Sequence, residues 1–389
     1  MTALLLTAAL AAQQSAFAAE GRFGVTPPQL AHQQGSVGGA VQTPTTIPEM
    51  WTAWCARCHA DDGSGKVNEP TVTVVPMDFT DCKVTTPEPD ADWERAIAKG
   101  GPGVGLSPQM PAFEDSLTPQ QVRGFVSHMR TMCKETGWPG GNANFPRPIL
   151  TEKAFPENEF VILPAVAHYS EELAPSITET EFVAVYERRV GKRSMLEIEL
   201  PIVGTNSLGQ WSNGLGDITV AVKHALLFPD ASTAAPPRIL SAGLEVVLPT
   251  GDRFEDHGHG TQIYEPFISA GAMFGNWYLQ SELKVELPAD ITKADRTVVY
   301  NTYVGRDTSA APNTWTLGLE LNYEGELPTT SSANHAFALT PQVRKGLTGT
   351  GALAAALGVT LPLNKREQQG IKWVGYLLWE YLEPLRAAR

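Results

Sequence analysis

The residues with the clearest chemistry are Cys55-Ala56-Arg57-Cys58-His59. In a C-x-x-C-H run the two thiols add to the vinyl groups of a haem, and the adjacent imidazole is carried by the same helical turn to one face of the iron. The spacing predicts one covalently attached haem c, anchored by Cys55 and Cys58, with His59 as an axial ligand. The competing reading is a redox dithiol beside an unrelated histidine. A second axial ligand must come from elsewhere, and two methionines are candidates: Met77 in Val75-Pro76-Met77-Asp78-Phe79, and Met110 in Ser107-Pro108-Gln109-Met110-Pro111. Met110 is favoured because it closes a Gly/Pro-rich stretch, residues 100–111, with the backbone freedom to press a thioether onto the iron. A Met ligand would raise the reduction potential relative to two histidines.

Only four cysteines are present. With two assigned to haem, Cys82 and Cys133 are free to pair, and export would make that disulfide chemically permissible; two buried thiols are the alternative. Export is suggested by the apolar run Leu4 to Ala12 ending in Ala16-Phe17-Ala18, a signal peptide over residues 1–18 that lacks the usual basic residue ahead of it. A Pro/Gln/Gly/Thr-rich stretch, residues 19–47, then reads as a flexible linker. The formal charge of −13 and the absence of any Lys/Arg run argue against nucleic acid as a partner. Asp256-His257-Gly258-His259 offers paired imidazoles to a transition metal, but two ligands make a weak site and a polar loop is the plainer account.

The elements that must position the motif are helical. Thr118-Pro119-Gln120-Gln121 is an N-cap with Pro at N1 and Gln at N3, and Val122, Phe125, Val126 and Met129 then form one apolar face. A second helix starts near Asp90, carries Trp93 and Ile97 four apart, and stops at Gly100. On these residues the segment 48–135 resembles a class I monohaem cytochrome c. The resemblance implies a small all-α domain in which a Met-Pro loop supplies the sixth ligand, here Met110, leaving Met77 to packing.

Residues 136–158 are rich in Pro, Gly and Asn and read as a linker to a second domain, because beyond them the hydrophobic period changes from 3.6 to 2. Trp315, Leu317, Leu319, Leu321 and Tyr323 are apolar at every second position, with Thr316, Gly318, Glu320 and Asn322 between them. Twelve such segments fall at roughly 160–169, 181–190, 193–203, 217–228, 238–249, 262–274, 277–288, 296–305, 313–325, 335–345, 351–362 and 371–382. An even count, mostly alternating short and long connections, and aromatics near strand ends (Trp277, Tyr278, Trp315, Trp373, Trp379, Tyr381) predict an antiparallel up-and-down transmembrane β-barrel over 159–389. Strand charges should then face the lumen. A soluble β-sandwich shows the same alternation with its apolar face turned inward.

The stretch Gly216 to Lys223, and Leu244 to Pro249 followed by Thr250-Gly251, resemble the outer-membrane channels associated with phenol degradation by the MetA pathway. The fused layout is similar to cytochrome–porin fusions that take electrons from Fe(II). These resemblances imply a Gram-negative outer-membrane location among lipid, a metal ion or small molecule as electron donor, and a periplasmic carrier or cytochrome as acceptor. The expected role is electron transfer rather than catalysis in its own right, the alternative being a porin-like uptake channel for small molecules, aromatic ones included, with a tethered cytochrome. A unit of about 90 residues has a diameter of about 30 Å. Open aqueous lumens belong to barrels of about sixteen strands or more. The haem unit is therefore expected to dock at the periplasmic mouth rather than enter.

Overall fold

The computed structural model describes residues 44–169, 177–230, 236–309, 313–327, 335–349, 351–364 and 370–381. The signal peptide, most of the first linker and the residues after Tyr381 lie outside them.

The helical region begins earlier than its composition suggests. Thr46 caps helix α1 (Ile47–Met50) through a capping box with Glu49, and Pro48 stands in the first turn. The chain then winds through a π turn (Trp51–Cys55) into α2 (Ala56–His59). Helix α3 (Cys82–Thr85) is capped by Asp81, and α4 (Asp90–Gly103) is broken at Gly100, whose φ of 69° no residue with a Cβ adopts readily. Helix α5 (Pro119–Arg130) has the expected capping box between Thr118 and Gln121. Trp93 and Ile97 of α4 meet Val122, Phe125, Val126 and Met129 of α5 in one apolar cluster with Met50, Trp51 and Phe79. A Cys82–Cys133 disulfide, with Cα atoms 5.1 Å apart, ties α3 to the end of α5.

From Glu159 on the chain is a closed antiparallel barrel. The strands are β1 (Glu159–Tyr169), β2 (Ile177–Val190), β3 (Ser194–Ser207), β4 (Gln210–Leu215 and Ile218–Leu227), β5 (Arg238–Leu248), β6 (Ile263–Phe274), β7 (Trp277–Pro288), β8 (Thr297–Asp307), β9 (Trp315–Glu326), β10 (His335–Gly346), β11 (Leu353–Pro362) and β12 (Ile371–Glu380). The halves of β4 face a single strand: Glu199 pairs with Thr219 and Ile202 with Leu215, so Gly216-Asp217 is an interruption and the barrel has twelve strands. Closure runs from β12 to β1, Glu380 opposite Glu159. All twelve segments expected from period 2 are strands. The stretch between the third and fourth, read as a loop, instead continues the hairpin out to a two-residue turn at Leu208-Gly209, where Leu208 has φ 53° and Gly209 φ 80°.

The outward face is a hydrocarbon surface. Leu196, Ile198, Leu200 and Ile202 of β3 and Leu317, Leu319 and Leu321 of β9 are exposed, while Glu197 and Glu320 between them are buried. Exposed Phe274, Trp277, Trp315 and Trp379 girdle the end where the barrel begins and finishes; Tyr264, Tyr300 and Trp373 girdle the other. The outward charges Arg188, Arg306 and Lys345 lie within three residues of strand ends, and the last two sit over the Trp277 and Trp315 rings. Tyr278, expected in the girdle, points inward and bonds Asp307.

Candidate functional site

The C-x-x-C-H motif lies at the edge of the helical core. Cys55 ends the π turn, Cys58 and His59 stand on α2, and both thiols are free while the other two cysteines are joined. The His59 ring packs against Phe79 (5.0 Å between centroids) and Trp51 (6.0 Å), whose Nε1 donates to the Ala60 carbonyl and fixes the turn. Burial depresses the pKa of His59, with the Met77 backbone acting the other way, so the neutral imidazole that a metal requires is the favoured form. Met77 and Met110 both pack against this cluster, as does Cys55.

The loop carrying Met110 is held from two sides. Gln109 accepts from Thr73 N (3.0 Å) and donates to the Thr71 carbonyl (2.7 Å), clamping it to the segment before Met77. Gly101 N donates to the Met110 carbonyl, and a Cβ on Gly100 would stand 2.7 Å from that same oxygen, so glycine is required for the approach. The donor set of two thiols, a buried imidazole and a thioether suits haem c.

The helical region sits on the mouth where β1 starts and β12 ends. Arg95 donates to Asn313, Arg189 to Thr86 and Gly137 N to Asp230, and Lys192 pairs with Glu135. Asp92 of α4 faces this junction, and burial, reinforced by Glu88 and Glu380, pushes its carboxyl up to about 8. Arg130, which no motif singled out, is buried beneath: it bonds Asp90 and the Thr85 carbonyl and lies 3.9 Å from the Trp93 centroid.

Residues 141–158, read from composition as a free linker, are inside the barrel. The segment enters at the mouth, descends to mid-strand and returns to Asn158. Phe145 packs on Tyr278, and Gln280 and Tyr376 donate to the Pro146 and Arg147 carbonyls. At the deepest point the Glu320 carboxylate accepts from three successive backbone N–H groups, Ile149, Leu150 and Thr151, at 2.7–3.0 Å, and from the Thr151 hydroxyl. On the way out Lys223 bonds Glu152 and the Lys153 carbonyl, Lys153 pairs with Glu157 and Glu159, and Arg147 with Glu159 and Glu187. A backbone without its own ladder is tolerated here because wall side chains satisfy it. Beyond the segment the lumen is lined by Glu179, Glu181, Glu245, Glu265, Glu286 and Glu324, against Lys284 and Lys372.

The histidines of 256–259 do not converge. His257 is buried against the Ser212 hydroxyl, whereas His259 bonds Asp217, which also accepts from Gly251 N. Among the described residues no three His, Cys, Asp or Glu side chains form a metal-ion cluster. These contacts instead brace the β5–β6 connection against the interruption in β4.

A closed antiparallel barrel, apolar outside and charged within, is the architecture of bacterial outer-membrane proteins. No family model matches the chain, and no curated protein matches it. Among solved structures it is similar to an outer membrane channel from Pseudomonas putida F1 (14% identity over 61% of this chain and 100% of that one, TM-score 0.45). The NanC porin (9%, 57% and 100%, 0.39) and the KdgM porin in complex with disordered oligogalacturonate (8%, 57% and 99%, 0.37) are also similar. At these identities the likeness concerns fold, and what those proteins carry does not transfer.

Proposed function

We propose that the protein is an electron-transfer protein of the outer membrane, with haem c attached to Cys55 and Cys58 and ligated by His59 and Met110, stationed on the periplasmic mouth of a barrel that anchors it. The observation that carries this reading is the C-x-x-C-H turn, its two thiols free and its imidazole buried, against a cluster that includes Met110. When bound, the haem supplies a one-electron ferric/ferrous couple. His59 would hold the iron from α2, Met110 would be pressed on it by the clamped loop, and Trp51, Phe79 and Trp93 would keep water from that face.

The lumen segment bears on the donor. One haem at one mouth does not span a hydrocarbon layer of about 30 Å, and residues 141–158 run inside the lumen from the mouth to mid-strand. A donor from outside can approach only down the far half, whose acidic lining favours a metal cation or positively charged molecule over an anion. The acceptor is a periplasmic carrier. In liposomes holding the protein in one orientation, Fe(II) outside should bleach the ferric haem spectrum; reduction only from the mouth side would leave the barrel as an anchor.

A second reading is an uptake channel with a tethered cytochrome, in which residues 141–158 act as a removable plug. What favours it is that the segment enters the lumen from outside the strands and is held to the wall in part by ion pairs and hydrogen bonds. Single-channel recording separates the two: a wild type that stays closed, with conductance appearing only when the segment is deleted, supports the anchor, and spontaneous opening supports the channel.

A further inference from the structure

The charges on the two faces of the barrel are sorted differently. Every strand carboxylate, from Glu159 to Glu380, alternates inward, whereas the lipid face carries cations alone: Arg188 of β2, Arg238 of β5, Arg306 of β8 and Lys345 of β10. All four stand at the end where the barrel begins and finishes, Arg238 as the first residue of its strand and the others within three residues of the last. The opposite rim has Tyr264, Tyr300, Tyr323 and Trp373 on the same face and no Lys or Arg. A charge on the lipid face is tolerated where its head reaches the interface, and only at the first rim does this barrel bring charge to the headgroups.

Two of these cations are arranged to receive an anion. Across β7–β10 the rim runs Trp277, Arg306, Trp315, Lys345: Trp277 is the register partner of Arg306, Trp315 is that of Lys345, and Arg306 lies opposite Leu317, two residues from Trp315. The Arg306 guanidinium is 5.3 Å from the Trp277 ring centroid, and Lys345 Nζ is 5.2 Å from that of Trp315. Stacking on a ring steadies a guanidinium without spending its N–H groups. The acid next to it in sequence, Asp307, is turned inward to Tyr278 and Thr316. Lys345 gives one N–H to the Asn313 carbonyl and keeps the rest of its ammonium. Among the described residues neither cation forms an ion pair.

From this row of ring-backed cations at one rim we infer that the barrel binds anionic phospholipid there, the phosphate taken by Arg306 and Lys345 and the acyl chains laid along exposed Val304, Leu317 and Leu319. The phosphate suits a guanidinium that offers paired N–H groups beside an ammonium. An anionic headgroup is favoured over phosphatidylethanolamine, whose own ammonium the rim cations repel. The surface is separate from the C-x-x-C-H motif and independent of the electron-transfer reading.

The probe is a bilayer of phosphatidylethanolamine and phosphatidylglycerol in equal amounts. Full-length protein is reconstituted into it and transferred gently to detergent, and the lipids that stay bound are identified by native mass spectrometry. They should be several-fold richer in phosphatidylglycerol than the bilayer, with the enrichment falling as salt is raised. Arg306→Gln combined with Lys345→Gln should bring the retained lipids to the bilayer ratio. The inference is overturned if the wild type retains the two lipids in bilayer proportion, which would leave the rim to solvent or to an acidic protein. It is equally overturned if the double variant keeps the enrichment. Should that variant not fold, Lys345→Gln alone must lower the enrichment, and an unchanged ratio refutes the site.

Discussion

The helical region and the barrel bury opposite kinds of interior. Around the haem motif the core is Trp51, Phe79, Trp93, Phe125 and Val126, with one buried cation, Arg130, held by a carboxylate, backbone carbonyls and an aromatic face. Inside the barrel Arg147, Lys153, Lys223, Glu159, Glu187 and Glu320 are all buried, and Leu196, Leu200, Leu317, Leu319 and Leu321 are outside. The same chemistry, apolar atoms away from water, yields both arrangements, because the medium outside is water for one region and hydrocarbon for the other. The two meet at the mouth, where Asp92 of the helical region faces Glu380 of the barrel. Segment 141–158 belongs by sequence to neither: it is the core of the barrel supplied from outside its strands.

The sharpest way to break this contrast is at the motif. Cys55→Ala with Cys58→Ala should abolish covalent haem, read as loss of haem staining on a denaturing gel, while the barrel still folds, since no strand contact involves either residue. Met110→Ala should remove the charge-transfer band of Met-ligated ferric haem and lower the reduction potential, and Met77→Ala should leave both intact; the reverse result would exchange their roles. In the barrel the contrast predicts opposite tolerances one residue apart. Leu319→Arg on the lipid face should cost about 2–4 kcal/mol of folding stability in bilayers. Glu320→Ala, which strands the N–H groups of Ile149, Leu150 and Thr151, should cost about 2–3 kcal/mol and raise leak conductance as the segment loosens.

The effect at the junction is one of pH. The Asp92 carboxyl is raised from 3.8 to about 8, chiefly by burial and then by Glu88 and Glu380. Folding therefore takes up a proton, and wild-type stability falls as pH rises from about 4 to about 8. Asp92→Asn removes that slope. Its unfolding temperature relative to wild type should climb across this window, and a constant difference would mean that Asp92 is solvated.

The fold was legible in the chain to an unusual extent because a transmembrane strand has one lipid face and one polar face, so period 2 in Leu317, Leu319 and Leu321 states both the element and its orientation. The C-x-x-C-H spacing was equally local, since thiols and imidazole share one turn. The Cys82–Cys133 pairing required only that two cysteines remained. What no local pattern contains is which far residue completes an interaction. Residues 141–158 have the Pro, Gly and Asn content of a linker, and only closure of twelve strands around them brings Glu320 to the N–H groups of 149–151. The signal that could have exposed them is the number of inward acids, among them Glu187, Glu282 and Glu320, which accept from residues 147–152. Likewise Asp256-His257-Gly258-His259 looks like paired ligands, yet Ser212 and Asp217, from across the hairpin, draw the imidazoles apart. Sequence alone determined the strands and their lipid faces and placed two thiols and an imidazole on one turn, because each depends on neighbours a few residues away. Tertiary structure decided what the lumen holds and which donors meet its carboxylates, because those depend on a closure that joins residues more than a hundred positions apart.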